Sequence, residues 1–354
     1  MLERVARAVL IAALAALAAL FVACSSDAER PRVKPSAEPR TAPGTAPGTA
    51  PPGAPGDAPA DAEAGPHVAA IGGTSHLSPE LQRAFAPAGQ FTPMGPPQAS
   101  DWLASHPEEP QTYDDYIASR PNLPNGQRRV IYLLPIGDFP PGTPTIASLA
   151  ELVKVFFTLE VRIMPRAPIG EVKARTRIHD HTHKRQLLAP DVLKWLVGRL
   201  PDDAYALMAI TMEDLYPEPS WNFVFGMASL RERVGVQSFA RQDAAFFGEP
   251  RPADWQKLAL RRATWTLIHE ISHMFGLSHC VFWECIVSGS NNQAEADRRP
   301  LHPCPVCARK LQFALDFDPA QRETALAATL RKLGIDDEAA WSEARAAWIR
   351  DGKR

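Results

Sequence analysis

The stretch HEISHMFGLSH, His269 to His279, constrains the fold more than any other part of this chain. On an α-helix, residues four apart lie on one face, so His269 and His273 can bring two imidazoles to a single point. The text before them supplies the helix. After Pro252 and Asp254, a good helix opening, apolar residues recur at Leu258, Trp265, Ile268, Ile271 and Met274. Gly276 then ends the helix, because glycine takes the left-handed conformation that reverses the chain and brings His279 round as a third nitrogen. Three neutral imidazoles at about 2.1 Å leave the fourth position of a tetrahedral zinc open, as a catalytic site requires and a structural site does not. Glu270 follows the first histidine directly. A carboxylate there can take a proton from a zinc-bound water whose pKa falls toward about 7, then pass it to a leaving amine. The short HExxH pattern arises by chance on ordinary amphipathic helices; the full HExxHxxGxxH at a helix end is far more specific. The expectation is hydrolysis of peptide bonds with Glu270 as general base.

Five cysteines occur, one at position 24 and four between 280 and 307. Cys280 and Cys285 form one close pair, Cys304 and Cys307 another, and two such pairs across a loop match a closed thiolate site with Zn–S near about 2.3 Å. A second, structural zinc is expected, giving two Zn2+ per chain. One or two disulfides are the alternative, favoured by export from the cytoplasm. Against them, a Cys-x-x-Cys disulfide is a tight loop usual in redox-active motifs, and no thioredoxin-like pattern surrounds Cys304. His302 lies beside the second pair, but four cysteines leave no need for it as a ligand.

The run HEISHMFGLSHC, with VFWE and a second cysteine, then GSN, EADRRP and CPVC, resembles the archaemetzincins, a metzincin-clan zinc peptidase family. SWNFVFGMASL and SFAR extend the resemblance over roughly Val130 to Phe317. It implies His269, His273 and His279 on a catalytic zinc, Glu270 as base, and Cys280, Cys285, Cys304 and Cys307 on a second zinc. It also implies a metzincin-like zincin fold, with sheet and helices above the site and a helical C-terminal part below. An edge strand that pairs with a peptide substrate would fall on Phe223, Val224, Phe225, Gly226 and Met227. One departure stands out: the family places a methionine beneath the zinc, two residues after the second cysteine, where this chain has Val287. Methionine there packs and does not ligate, so valine is expected to alter the stability of the site rather than abolish zinc binding.

The N-terminus, MLERVARAVLIAALAALAALFVAC, sets Arg4 and Arg7 before an apolar run from Ala8 to Ala23, the pattern of a signal peptide over residues 1–24. A retained membrane anchor is the alternative, though the run is short for a span. Phe21-Val22-Ala23-Cys24 resembles the bacterial lipobox, with Phe21 where leucine is usual. The resemblance implies lipidation of Cys24 and, with Ser25 next, anchoring at the outer membrane or cell surface. Residues 25–66 are dominated by Pro, Ala, Gly and Thr, have almost nothing to bury, and read as a disordered tether. Residues 67–124 gain aromatic side chains but keep many prolines and read as a loosely structured extension. Residues 125–354 read as the peptidase domain.

Within that domain, Val130–Leu134, Val161–Met164 and Tyr205–Met212 are expected strands, separated by helices at Ile146–Phe157 and Pro190–Leu200. Ser220–Leu230 and Arg233–Arg241 read as further strands, and Ala320–Leu333 and Glu338–Ile349 as structural helices. Strands alternating with helices argue for an α/β fold, a mixed twisted sheet with crossover helices in three layers. The chain has 38 basic and 40 acidic residues, so no bulk field draws it to nucleic acid. The expected partners are a peptide or protein substrate and, through the lipid, a membrane, with the chain a monomer. Two other functions remain at this stage: a non-catalytic zinc-stabilised binding protein, for which Glu270 has no use, and a redox protein using the four cysteines.

Overall fold

The computed structural model describes residues 65–352 and the strand Phe21–Ala23. The rest of the expected signal peptide, Cys24 and the tether up to residue 64 lie outside the described residues. A six-stranded mixed sheet organises the chain. In chain order its strands are β1 (Phe21–Ala23), β2 (Val130–Ile136), β3 (Glu160–Ile163), β6 (Ala204–Thr211), β8 (Gly226–Ser229) and β9 (Val234–Ser238). The spatial order is β1-β8-β9-β6-β2-β3, with β2, β3, β6 and β9 parallel and β8 antiparallel to both its neighbours. A small second sheet joins β4 (Thr176–Ile178), β5 (Arg185–Leu188) and β7 (Asp214–Tyr216).

Strand β6, AYALMAIT, is buried along its whole length, the continuous apolar run that a central parallel strand needs. Its alternate residues serve two cores. Ala206, Met208 and Ile210 join one hydrophobic cluster, Leu207 and Ala209 the other. On the first face lies the crossover helix at Ile146–Phe157, which begins where the Thr145 side chain accepts from Ser148 N–H at 3.1 Å. That helix buries Leu149, Leu152, Val153, Phe156 and Phe157, the stripe its spacing predicts. On the opposite face, the helix at Ala189–Val197 inserts Val192, Leu193 and Leu196 into the second cluster. The three-layer arrangement follows.

Several segments differ from expectation. Strand β2 runs through Pro135 to Ile136 instead of ending there. Pro135 C=O accepts from Ala167 N–H at 2.9 Å, so its ring nitrogen faces the same side, past the end of β3, where no ladder donor is required. Ser220–Leu230 yields a strand only from Gly226, while Val224 makes an isolated antiparallel bridge to Leu215. Residues 67–124 are packed rather than loose. They carry helices at Pro66–Ala69, Pro79–Phe85, Trp102–Ser105 and Tyr113–Ala118 and bury Ile71, Phe85, Trp102 and Tyr116. Pro66 and Pro79 stand at helix starts, where a missing N–H costs nothing. Among the described residues, no helix is long and apolar enough to cross a membrane.

Candidate active site and metal centres

The helix carrying the histidines spans Trp255–Met274 and is buried along its C-terminal half. The Asp254 side chain makes no capping bond to it; tertiary packing fixes this helix instead. Its C-terminal carbonyls are met by side chains from elsewhere: Tyr205 Oη donates to Met274 C=O at 2.9 Å and Tyr116 Oη to Phe275 C=O at 2.8 Å. Gly276 has φ +87°, the left-handed turn that a side chain would strain. Beyond it the chain doubles back, and His279 comes within reach of the helix.

His269, His273 and His279 are all buried, and one ring nitrogen from each lies within 4.8 Å of the others. The Nε2 atoms of His269 and His273 are 2.9 Å apart. Each ring engages its other nitrogen: His269 Nδ1 with Ile286 C=O at 2.9 Å, His273 Nδ1 with Leu277 C=O at 2.6 Å, and His279 Nδ1 with Glu108 Oε1 at 2.6 Å. Bonds of this kind fix tautomer and ring orientation, directing Nε2 at a metal. Burial and the neighbouring rings push His269 well below the usual imidazole range, and burial, with His279 beside it, pushes His273 to about 3. Both are neutral at physiological pH, the form that ligates.

Glu270 is fully buried, and among the described residues neither of its carboxylate oxygens has a hydrogen-bond partner. An unpartnered buried carboxylate is costly and calls for explanation. A cation and a water beside it would provide one. Burial alone pushes its carboxyl well above the usual range; a cation on the adjacent imidazoles would act the other way. Space for the carboxylate comes from Gly226 on β8, where a Cβ would fall 2.6 Å from Glu270 Oε1.

Cys280, Cys285, Cys304 and Cys307 are buried free thiols whose sulfurs all lie within 4.8 Å of one another. Four thiolates on one zinc at about 2.3 Å place their sulfurs roughly 3.8 Å apart, close to the 3.5 Å between Cys280 and Cys304. The donor set fits a closed tetrahedral centre. His302 is engaged elsewhere, its Nδ1 on Glu338 at 2.9 Å and its ring stacked on Trp341. The two centres share backbone: Ile286 C=O holds His269, while Cys280 N–H donates to Val287 C=O at 3.0 Å. Val287, where the resemblance led to an expected methionine, is completely buried.

Of the five residues expected to meet a substrate, only Gly226 and Met227 lie on strand β8; Phe223, Val224, Phe225 and Met227 have buried side chains. The outer edge of β8 pairs with β1, Ala23 opposite Met227. Sequence reasoning missed Glu108, Trp102 and Gln111, all from the segment it could assign no role. No fixed spacing links them to the helix, and the gain in aromatic residues after the tether was the one available signal.

A histidine pair on one helix, a third beyond a glycine turn and an unbonded carboxylate between them fit a hydrolytic metal centre, and the proteins this chain is similar to make the class a zinc metallopeptidase. The model of Peptidase family M54 matches residues 183–313. Archaemetzincin-2 of Pongo abelii is 37% identical over 290 residues, covering 73% of this chain and 78% of its own, and archaemetzincin-2 of Homo sapiens gives the same figures. The solved structure of an archaemetzincin from Methanopyrus kandleri matches 55% of this chain and 99% of its own at 29% identity, with a TM-score of 0.42. The chain belongs to the archaemetzincins.

Proposed function

We propose that the chain hydrolyses peptide bonds with Glu270 as general base, holding one zinc on His269, His273 and His279 and a second on Cys280, Cys285, Cys304 and Cys307, on a metzincin-like scaffold. The observation that carries this reading is the Glu270 carboxylate, buried, unpartnered and one residue from a ligand. Zinc on the histidines would supply Lewis acidity and lower the pKa of a bound water. Glu270 accepts the proton of the attacking water and returns it to the leaving amine. Burial of the carboxylate excludes competing water and strengthens that exchange. A binding protein on the same scaffold would have no use for this carboxylate, and four free buried thiols around one point argue against a disulfide-based redox role.

A peptide substrate would add as a strand along the outer edge of β8, which Phe21–Ala23 covers in this chain. Removal of residues 1–23 before Cys24 would expose that edge, and a lipid on Cys24 would hold residues 65–352 to a membrane through the Pro-rich tether. Labelling with a radioactive fatty acid tests the anchor, which predicts incorporation that Cys24→Ala abolishes; equal labelling of both chains refutes it. For the chemistry, Glu270→Ala should keep both metals and lose about 10²–10⁴-fold in peptide hydrolysis. Wild-type rates in that variant would refute the mechanism.

A further inference from the structure

His269 and His273 owe their placement to a helix, but His279 stands in a loop, and no regular element aims its ring. The contact that does so comes from far away in sequence. Glu108 Oε1 accepts from His279 Nδ1 at 2.6 Å and also from Trp102 Nε1 at 2.5 Å. The Trp102 indole meets the His279 ring edge-on, with centroids 5.4 Å apart, and packs on Gly289, where a Cβ would lie 2.5 Å from the indole. The backbone N–H of Trp102 donates in turn to Oε2 of the buried Glu295 at 2.9 Å.

The turn that delivers His279 is held from the same segment. Gln111 Nε2 donates to Gly276 C=O at 3.1 Å, and Gln111 Oε1 accepts from Ser278 N–H at 3.1 Å. Lys310 Nζ donates to Gln111 Oε1 at 2.9 Å from the helix at Pro305–Leu315, which also carries Cys307. Further upstream, Glu284 N–H donates to Thr92 C=O and Met94 N–H to Phe282 C=O, both at 2.9 Å, so this segment also pairs with the loop between Cys280 and Cys285. The chain from Thr92 to Gln111 is thus a wall of the histidine site.

We propose that Glu108 is a positioning residue for the third histidine, fixing His279 with Nε2 toward the metal and making its imidazole a stronger donor. The inference rests on reading the three histidines as a metal site. A carboxylate accepting from a ligand imidazole fixes its tautomer and raises its basicity, and loss of such partners costs roughly 10–100-fold in metal affinity. The backbone carbonyls that serve His269 and His273 supply the first effect with less of the second.

The test compares Glu108→Ala, Glu108→Gln and His279→Ala with wild type in the full chain. Zinc affinity is read by chelator competition and site geometry by the visible spectrum after Co2+ loading, with the cysteine site as internal reference. Glu108→Ala is expected to weaken zinc at the histidine site about 10–100-fold, shift the cobalt spectrum and leave the cysteine-site zinc unchanged. Glu108→Gln keeps an acceptor oxygen and should fall between, losing about threefold or more. Should the alanine variant misfold, losing metal from both sites, the near-isosteric glutamine variant decides. Wild-type affinity and spectrum in either folded variant overturn the proposal. If His279→Ala also binds both metals as wild type does, the reading of the histidines has failed instead.

Discussion

The Glu270 carboxylate lies where it does because residue 226 has no side chain. A Cβ there would sit 2.6 Å from Oε1, 2.7 Å from Cγ and 2.8 Å from Cδ of Glu270, and relieving such overpacking typically costs about 1–3 kcal/mol. Gly226→Ala should therefore displace the carboxylate while both sites still bind zinc, lowering kcat about tenfold or more. Unchanged kcat with an unchanged Glu270 rotamer would remove the glycine from this account. The ligand candidates were legible because their geometry is local: an i, i+4 pair, a glycine turn, two close cysteine pairs. Glu108 was not, since it meets His279 across a separation of 171 residues, and one sequence contains no periodicity that records such a contact.

Among the elements, the helix at Trp255–Met274 depends on its neighbours at the C-terminal end. Tyr116 and Tyr205, both fully buried rings, donate their hydroxyls to its last carbonyls. Removing one such donor leaves a buried carbonyl unsatisfied, at about 1–3 kcal/mol. Tyr116→Phe is expected to lower unfolding free energy by that amount and to speed amide exchange over residues 275–278, measured with zinc saturating; identical stability and exchange would show that the extension does not brace the turn. Element by element, the crossover helix at 146–157 follows from its apolar stripe and Thr145 cap. Pro135 misled because a proline in a parallel strand is tolerated where its neighbour on that side, here the segment at Ala167 past the end of β3, calls on its C=O and needs no N–H from it. Residues 67–124 misled because composition counts prolines without showing which contacts the aromatic side chains between them make: Phe85, Trp102 and Tyr116 are buried against the rest of the chain.

In the molecule as a whole, two buried donor clusters meet along one stretch of backbone. His279 and Cys280 are consecutive, Ile286 holds His269, and Val287 holds Cys280. The cysteine cluster, the N-terminal wall and the histidine site therefore share one stretch of backbone, and a zinc on the thiolates would stiffen the loop that carries the third histidine. The backbone of Val287 is held from both sides, its N–H donating to Cys285 Sγ at 3.5 Å and its C=O accepting from Cys280 N–H at 3.0 Å. The most direct test is the zinc content of the purified full chain, wild type beside His273→Ala and Cys304→Ala. Two zincs in the wild type and one remaining in His273→Ala are expected, with Cys304→Ala losing the other. A single zinc per wild-type chain, with the four cysteines oxidised to disulfides, would contradict the two-centre account.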